Sequence, residues 1–263
     1  MNNWVSSSPR PELQMKMYSE FIGGDTFEEY VKNEELEKLI VGKTIALVGP
    51  STNLEGSGMG SKIDSFDIVV RPGQLNEIPK EKHNDYGNKI DIVTHSFNVW
   101  ERELALKNID FLKERKFVVG TMVHIDHKLM YENFESELLN NHVKFHKPSD
   151  RYIYKLFDEI GTTPNCGFIS LIILLNYDIK SIYVTGMDFY NMGKYGRVYR
   201  DDYFDNVTKN SHGYLSYNEE KIINARQARF DLHDQKTQIE FLKQLILIEK
   251  RIVLDDYLKE NLI

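Results

Sequence analysis

The chain is nearly devoid of cysteine. Of its 263 residues only Cys166 is one, so no disulfide can form within it, which fits a reducing compartment. Long apolar runs are also missing. The most apolar stretch, Phe168 to Leu175, is far short of the ~18 residues needed to cross a bilayer. The N-terminal MNNWVSSSPRPELQ lacks the charged-then-apolar pattern of a leader. The expectation is a cytoplasmic protein with no membrane span. An excess of positive charge is absent too: 33 Lys and Arg against 40 Asp and Glu give a net charge of −7. That argues against a broad nucleic-acid surface and leaves a local basic groove open. What remains, 41% hydrophobic and 28% charged, is the composition of a globular chain long enough for one α/β domain with a full core.

The stretch with most content is Lys43 to Arg71, KTIALVGPSTNLEGSGMGSKIDSFDIVVR. Thr44 to Val48 is a short apolar run bounded by glycine, which reads as a buried strand. Gly49-Pro50-Ser51 ends it. Gly56, Gly58 and Gly60 then remove side chains where a chain needs positive φ or where a ligand approaches, so a phosphate or nucleotide could sit there, as could a plain turn. Neither the dinucleotide fingerprint nor the phosphate-loop signature is complete in that loop. A helical pattern runs from Asp25 through Ile40 ahead of it. Further on, strands are predicted at 89–94, 117–120, 143–146, 179–186 and 251–254, and helices at 101–116, 128–140, 150–161, 168–176, 219–232 and 235–250. This alternation implies a doubly wound, mostly parallel sheet of Rossmann-like α/β type. Residues 1–42 read as an N-terminal arm and helix, and 43–263 as a single domain. The aperiodic 191–216 stretch reads as a lid or acceptor loop.

Polar residues gather at the predicted strand ends. Thr163-Pro164-Asn165-Cys166-Gly167 opens the apolar helix, and a helix N-terminus preceded by small residues can hold an anion or carbonyl. Gly186-Met187-Asp188-Phe189-Tyr190 closes a strand, with Tyr195 shortly after. The segment 72–89 reads as a long polar loop at a strand's carboxyl end, where ligands meet α/β sheets, and Thr94, His95, Ser96 and Asn98 form the turn after the next strand. His212 and His233 are candidate proton acceptors, since a histidine titrates near neutrality; without further context either is equally a surface or capping residue. His124, Asp126 and His127 lack metal-ligand spacing on a defined element, and no base adjoins Cys166 to make it a nucleophile.

In order and type, these blocks resemble the sialyltransferases. Ile45 to Arg71 is similar to that family's large motif, with Gly49, Ser51, Asn53, Asp64, Asp67 and Arg71 in matching positions. Pro50, and the pair Pro72-Gly73, stand where the family has Asn-containing sequence. The 163–167 block is similar to the small motif, with Asn165-Cys166 in place of a hydroxyl pair. Gly186 to Tyr190 is similar to a bacterial Gly-x-Asp-Phe-Tyr. The resemblance implies the sialyltransferase-like variant of the A-type glycosyltransferase fold and an inverting transfer from a CMP-linked sugar to a glycan hydroxyl. The donor-binding residues would be Gly49, Ser51, Asn53, Arg71, Asn165, Cys166, Gly167, Gly186 and Asp188. His233, followed on its helix by Glu240, would be the base, with Tyr190, Tyr195 and His212 on the departing phosphate. His95, Ser96 and Asn98 would lie near the acceptor.

Ile45 occupies the place of a cysteine that animal Golgi members pair in a disulfide, pointing to a bacterial or viral cytosolic relative. No D-x-D triplet occurs, so neither a metal nor another cofactor is expected. The departures at Pro50 and Gly73 keep other readings open: another nucleotide-sugar donor, an acceptor in polysaccharide or modified DNA, or a non-catalytic nucleotide-sugar-binding protein. An oligomer is also left open.

Overall fold

In a computed structural model the described residues are 32–97, 99–121, 128–189, 199–200, 202–203 and 233–262. Seven strands, Thr44–Val48 (β1), Ile68–Pro72 (β2), Ile92–His95 (β3), Phe117–Gly120 (β4), Phe145–His146 (β5), Ser181–Thr185 (β6) and Ile252–Leu254 (β7), form one sheet. Their order is β5-β4-β3-β2-β1-β6-β7, and every pairing is parallel. The chain therefore winds outward from β1 to β5, returns to the far side of β1 as β6, and ends at β7. The direction of winding reverses between β1 and β6, where an open α/β sheet presents its crevice.

Both faces of the sheet are covered, which is why β1 reads IALV without polar alternation. Ile45 and Leu47 join one apolar cluster with Phe168, Ile172 and Leu245. Ala46 and Val48 join the other, with Phe97, Leu112 and Phe134. Ser149 caps Asp150–Ile160 by accepting from Tyr152 N, and Gly161 ends that helix at φ +78°, both as the sequence predicts. The Cys166–Leu175 helix is buried from Phe168 onward, as its lack of a polar face requires. Among the described residues no helix is long and apolar enough to cross a membrane.

Several predicted boundaries move. A helix starts at Glu34, not as a continuation from Asp25, because Asn33 is extended and accepts from Glu35 N and Leu36 N, both at 3.0 Å. The predicted 101–116 helix is two, Val99–Lys107 and Ile109–Lys113. They part at Asn108, whose side-chain amide donates to Leu104 O at 2.9 Å and competes with the helical ladder. The 72–89 segment is not a plain loop, since it contains short helices at Lys80–Lys82 and His83–Tyr86. A helix at Asp256–Leu262, absent from the prediction, closes the chain. The predicted arm over 1–23, the 191–216 loop and the 219–232 helix lie outside the described residues.

Candidate active site

At the reversal point, β1 and β6 end on a pair of glycines packed backbone to backbone. Gly49 N donates to Thr185 O and Ser51 N to Gly186 O, each at 2.9 Å. A Cβ on Gly49 would lie 2.3 Å from Gly186 O, and one on Gly186, at φ +65°, 2.5 Å from Gly49 O. No side chain fits at either position. The close approach places Ser51 against the end of β6, where its buried hydroxyl donates to Asp188 Oδ2 at 3.0 Å. Ser51 Oγ also accepts from Asn53 N at 3.1 Å, starting the Thr52–Leu54 turn. The phenol of Tyr257, near Asn53 and Asp188, is pushed upward, chiefly by burial.

Met187 joins this point to the 163–167 turn. Its side chain lies 3.0 Å from the Cβ position of Gly49 and 2.9 Å from that of Gly167, so two glycines far apart in sequence make room for one flexible thioether. Asn165 caps the Cys166–Leu175 helix by accepting from Phe168 N at 2.9 Å. Its own N–H donates to Gln238 Oε1 at 3.0 Å. Cys166 Sγ is 3.2 Å from Thr121 Oγ1 and 3.5 Å from Thr94 O, so the turn meets the ends of β3 and β4 as well.

His233 stands against the same turn. Its Nδ1 is 2.7 Å from Thr163 O; a carbonyl only accepts, so Nδ1 carries the proton and Nε2 of the neutral ring holds the lone pair. Asp234 N donates to Thr162 Oγ1 at 3.0 Å, and Asp234 caps the Gln235–Ile248 helix. Glu240, on that helix, is exposed and accepts from Gln244. His95 has the opposite tautomer: its Nδ1 accepts from Phe97 N at 2.8 Å, which puts the proton on Nε2. His95 is buried at the end of β3, stacked 4.5 Å from the Phe97 ring, and Ser96 beside it is half-buried.

The structure thus brings together Gly49, Ser51, Asn53, Asn165, Cys166, Gly167, Gly186, Asp188 and His233, with His95 and Ser96 along the same edge of the sheet. Arg71 is elsewhere. Only 1% exposed, it donates through Nε to Lys89 O and through Nη2 to Tyr86 O, and burial beside Arg200 pushes it down to about 9. Asp64 accepts from Asn88 N and Lys89 N, tying a short helix to the loop before β3, and Asp67 accepts from Thr44, tying a loop to β1. Tyr190, Tyr195, His212 and Asn98 lie outside the described residues, as do His124, Asp126 and His127.

Of the two readings the sequence leaves open for the glycine loop, the plain turn is the one that its contacts favour. Gly56 and Gly58 adopt positive φ, but their amides donate at 2.8 and 2.9 Å to the Asp85 carboxylate, and Gly60 exists because His83 O lies 1.9 Å from where its Cβ would be. An internal anion occupies the amides that a phosphate would need. Sequence reading also missed Asp255, which accepts from Thr185 Oγ1 at 2.6 Å and caps the last helix through Leu258 N. The signal, an acidic residue between an apolar run and a helical pattern, was there to be read.

Residues 14–183 match the model of "Glycosyltransferase family 29 (sialyltransferase)", well over half the chain; Gly186 to Asp188 and His233 lie beyond that match. No curated protein matches in sequence. Among solved structures, the fold is similar to that of a mammalian sialyltransferase, with TM-score 0.50 and 16% identity over 95% of this chain and 80% of that one. It is similar also to an α-2,3-sialyltransferase from Campylobacter jejuni, with TM-score 0.52 and 18% identity over 85% and 81%. A monofunctional α-2,3-sialyltransferase of that organism gives TM-score 0.53 and 19% identity over 90% and 82%. With the parallel sheet reversing at β1 and β6 and the family match covering 14–183, through β1 and its flanking motif and on into β6, the chain belongs to glycosyltransferase family 29, the sialyltransferases.

Proposed function

We propose that the protein is an inverting glycosyltransferase that moves a sialic acid or related sugar from a CMP-linked donor to a hydroxyl of a glycan acceptor. What carries the reading is the convergence of the 49–53, 163–167 and 186–188 segments on one crevice, with His233 seated on Thr163 O at its side. The nucleotide lies along Gly49 to Asn53, and its phosphate at the N-terminus of the Cys166–Leu175 helix, where the first-turn amides of Cys166 and Gly167 favour an anion.

The acceptor oxygen attacks the anomeric carbon as the bond from that carbon to the phosphate oxygen breaks, its electron pair leaving with CMP. His233 Nε2 takes the acceptor's proton, and no covalent enzyme intermediate forms. Tyr190, Tyr195 and His212 donate to the phosphate as charge develops on it. The reaction needs no metal, by analogy with the absence of a D-x-D triplet, and runs in the reducing cytoplasm that a lone cysteine suits.

Thermal unfolding with CMP, UDP, GDP or AMP, each with and without EDTA, tests the donor. CMP at 100 times its dissociation constant stabilises by about 2.7 kcal/mol, a rise of several degrees for a chain of this size, unchanged by EDTA. A shift confined to UDP plus a divalent metal would replace the donor and the metal-free mechanism together. His233→Ala is expected to lower kcat by about 10²–10⁴-fold with donor affinity retained; an equally active variant would remove His233 as base.

A further inference from the structure

Of the residues Gly186 to Phe189 that leave β6, all but Met187 are held in place. Gly186 crosses Gly49 at φ +65°, and its N–H reaches Asp255 Oδ2 at 3.4 Å. Asp188 is buried and accepts from Ser51. Phe189 is buried at φ +50°, a left-handed backbone that a bulky side chain adopts only where its surroundings impose it. Its ring is centred 6.3 Å from that of Phe168 in the core. Met187 is half-buried. With its backbone fixed from both sides, its freedom is that of its side chain alone.

That side chain runs across the crevice. Its Cγ lies 3.0 Å from the Cβ position of Gly49, and its Cε and Sδ lie 2.9 and 3.3 Å from that of Gly167. Gly49 begins the segment given above to the nucleotide, and Gly167 belongs to the helix turn given to its phosphate. A group spanning the two lies beneath what joins base to phosphate, the pentose. Gly167 stands in the first turn of the Cys166–Leu175 helix, where alanine would suit the helix better. The atoms nearest to an added methyl there are those of Met187, then Asn165 Oδ1 at 3.4 Å, so this glycine answers to the thioether. An unbranched, polarizable thioether fits an irregular apolar surface, and the C–H face of a pentose is one. We propose that Met187 is a donor-contacting residue: its Cγ, Sδ and Cε form an adaptable apolar floor under the pentose, between base and phosphate. The proposal rests on the donor reading above.

Calorimetric titration with CMP, and with cytidine, which lacks the phosphate, tests this in Met187→Ala, Met187→Leu, Gly167→Ala and the double variant Met187→Ala/Gly167→Ala. Met187→Ala is expected to weaken both ligands about tenfold, the size of one side chain's apolar contact. Met187→Leu keeps the apolar volume and should stay within about threefold of the wild type. Gly167→Ala drives the thioether into the crevice, so it should weaken cytidine as well as CMP, and in the double variant it should add nothing to the loss from Met187→Ala. Weakening of CMP alone in Met187→Ala would put the thioether at the phosphate and overturn the floor. So would Met187→Leu as weak as Met187→Ala, or a Gly167→Ala effect equal with and without the thioether, since the methyl itself would then be the obstruction. Unchanged affinity for both ligands in Met187→Ala would overturn the floor and leave the donor reading intact. A wild type that binds neither ligand would overturn the donor reading, and the floor with it.

Discussion

Asp85 shows how one side chain can redirect a loop whose sequence advertises ligand binding. Its two oxygens accept from Gly56 N and Gly58 N, bonds that a charged acceptor strengthens. Asp85→Asn keeps one acceptor but turns an amide N–H₂ against a backbone donor, and at this half-buried site a loss of about 1–2 kcal/mol in urea unfolding is expected. CMP affinity should stay within threefold; a folded Asp85→Asn protein without CMP binding would return the loop to the site. Asp67 gives a pH-dependent counterpart. Hydrogen bonds from Thr44 N, then from its hydroxyl, hold this carboxyl below its ordinary value, helped by Lys43 and Lys89. A depressed carboxylate stabilises the fold above its unfolded value of about 3.9, and the contribution disappears as pH falls through the lower folded value. Urea midpoints should therefore be lower for Asp67→Asn than for the wild type at pH 7, and converge as the pH drops below about 4.

At the level of elements, the strands were legible because parallel strands buried on both faces leave continuous apolar runs: Thr44–Val48 and Phe117–Gly120 fall where the sequence puts them. The Ser149 and Gly161 caps were legible for a similarly local reason. What was hidden depended on partners distant in sequence. Nothing near Gly56 announces Asp85, nothing near Arg71 announces the carbonyls of Tyr86 and Lys89, and nothing near Asn165 announces Gln238. The glycines at the end of β1 and β6 look like turn formers and are in fact a crossing, which can be tested against a glycine that is only a turn. Gly42 has φ +69° with nothing within 4 Å of its Cβ position, whereas Gly186 combines φ +65° with Gly49 O at 2.5 Å. Gly42→Ala should cost about 1 kcal/mol of backbone strain. Gly186→Ala carries the same strain and must also part β1 from β6, so its Tm should fall several times further and CMP binding with it.

Across the whole molecule, the winding that creates the crevice also makes it depend on the last residues of the chain. β6 lies between β1 and β7, and its carboxyl end is held from the outer side by Asp255, through Thr185 Oγ1, while Asp255 N donates to Val184 O at 3.0 Å. β5 and β7 are the sheet edges, where local opening is least costly, and the centre opens with the global transition. Native-state hydrogen exchange should accordingly be slowest in β1 and β2 and fastest in β5 and β7. Asp255→Ala removes the acceptor for Thr185 and for Leu258 N without touching β1 to β5. Exchange should then rise at 182–186 and in the Asp256–Leu262 helix, and stay unchanged at 92–95 and 117–120. If protection fell evenly over all seven strands, the sheet would be one cooperative unit and the β6–β7 side would have no separate stability. If it falls only on that side, the floor of the crevice is set by the less stable side of the sheet, and substitutions in β7 should weaken CMP binding without contacting it.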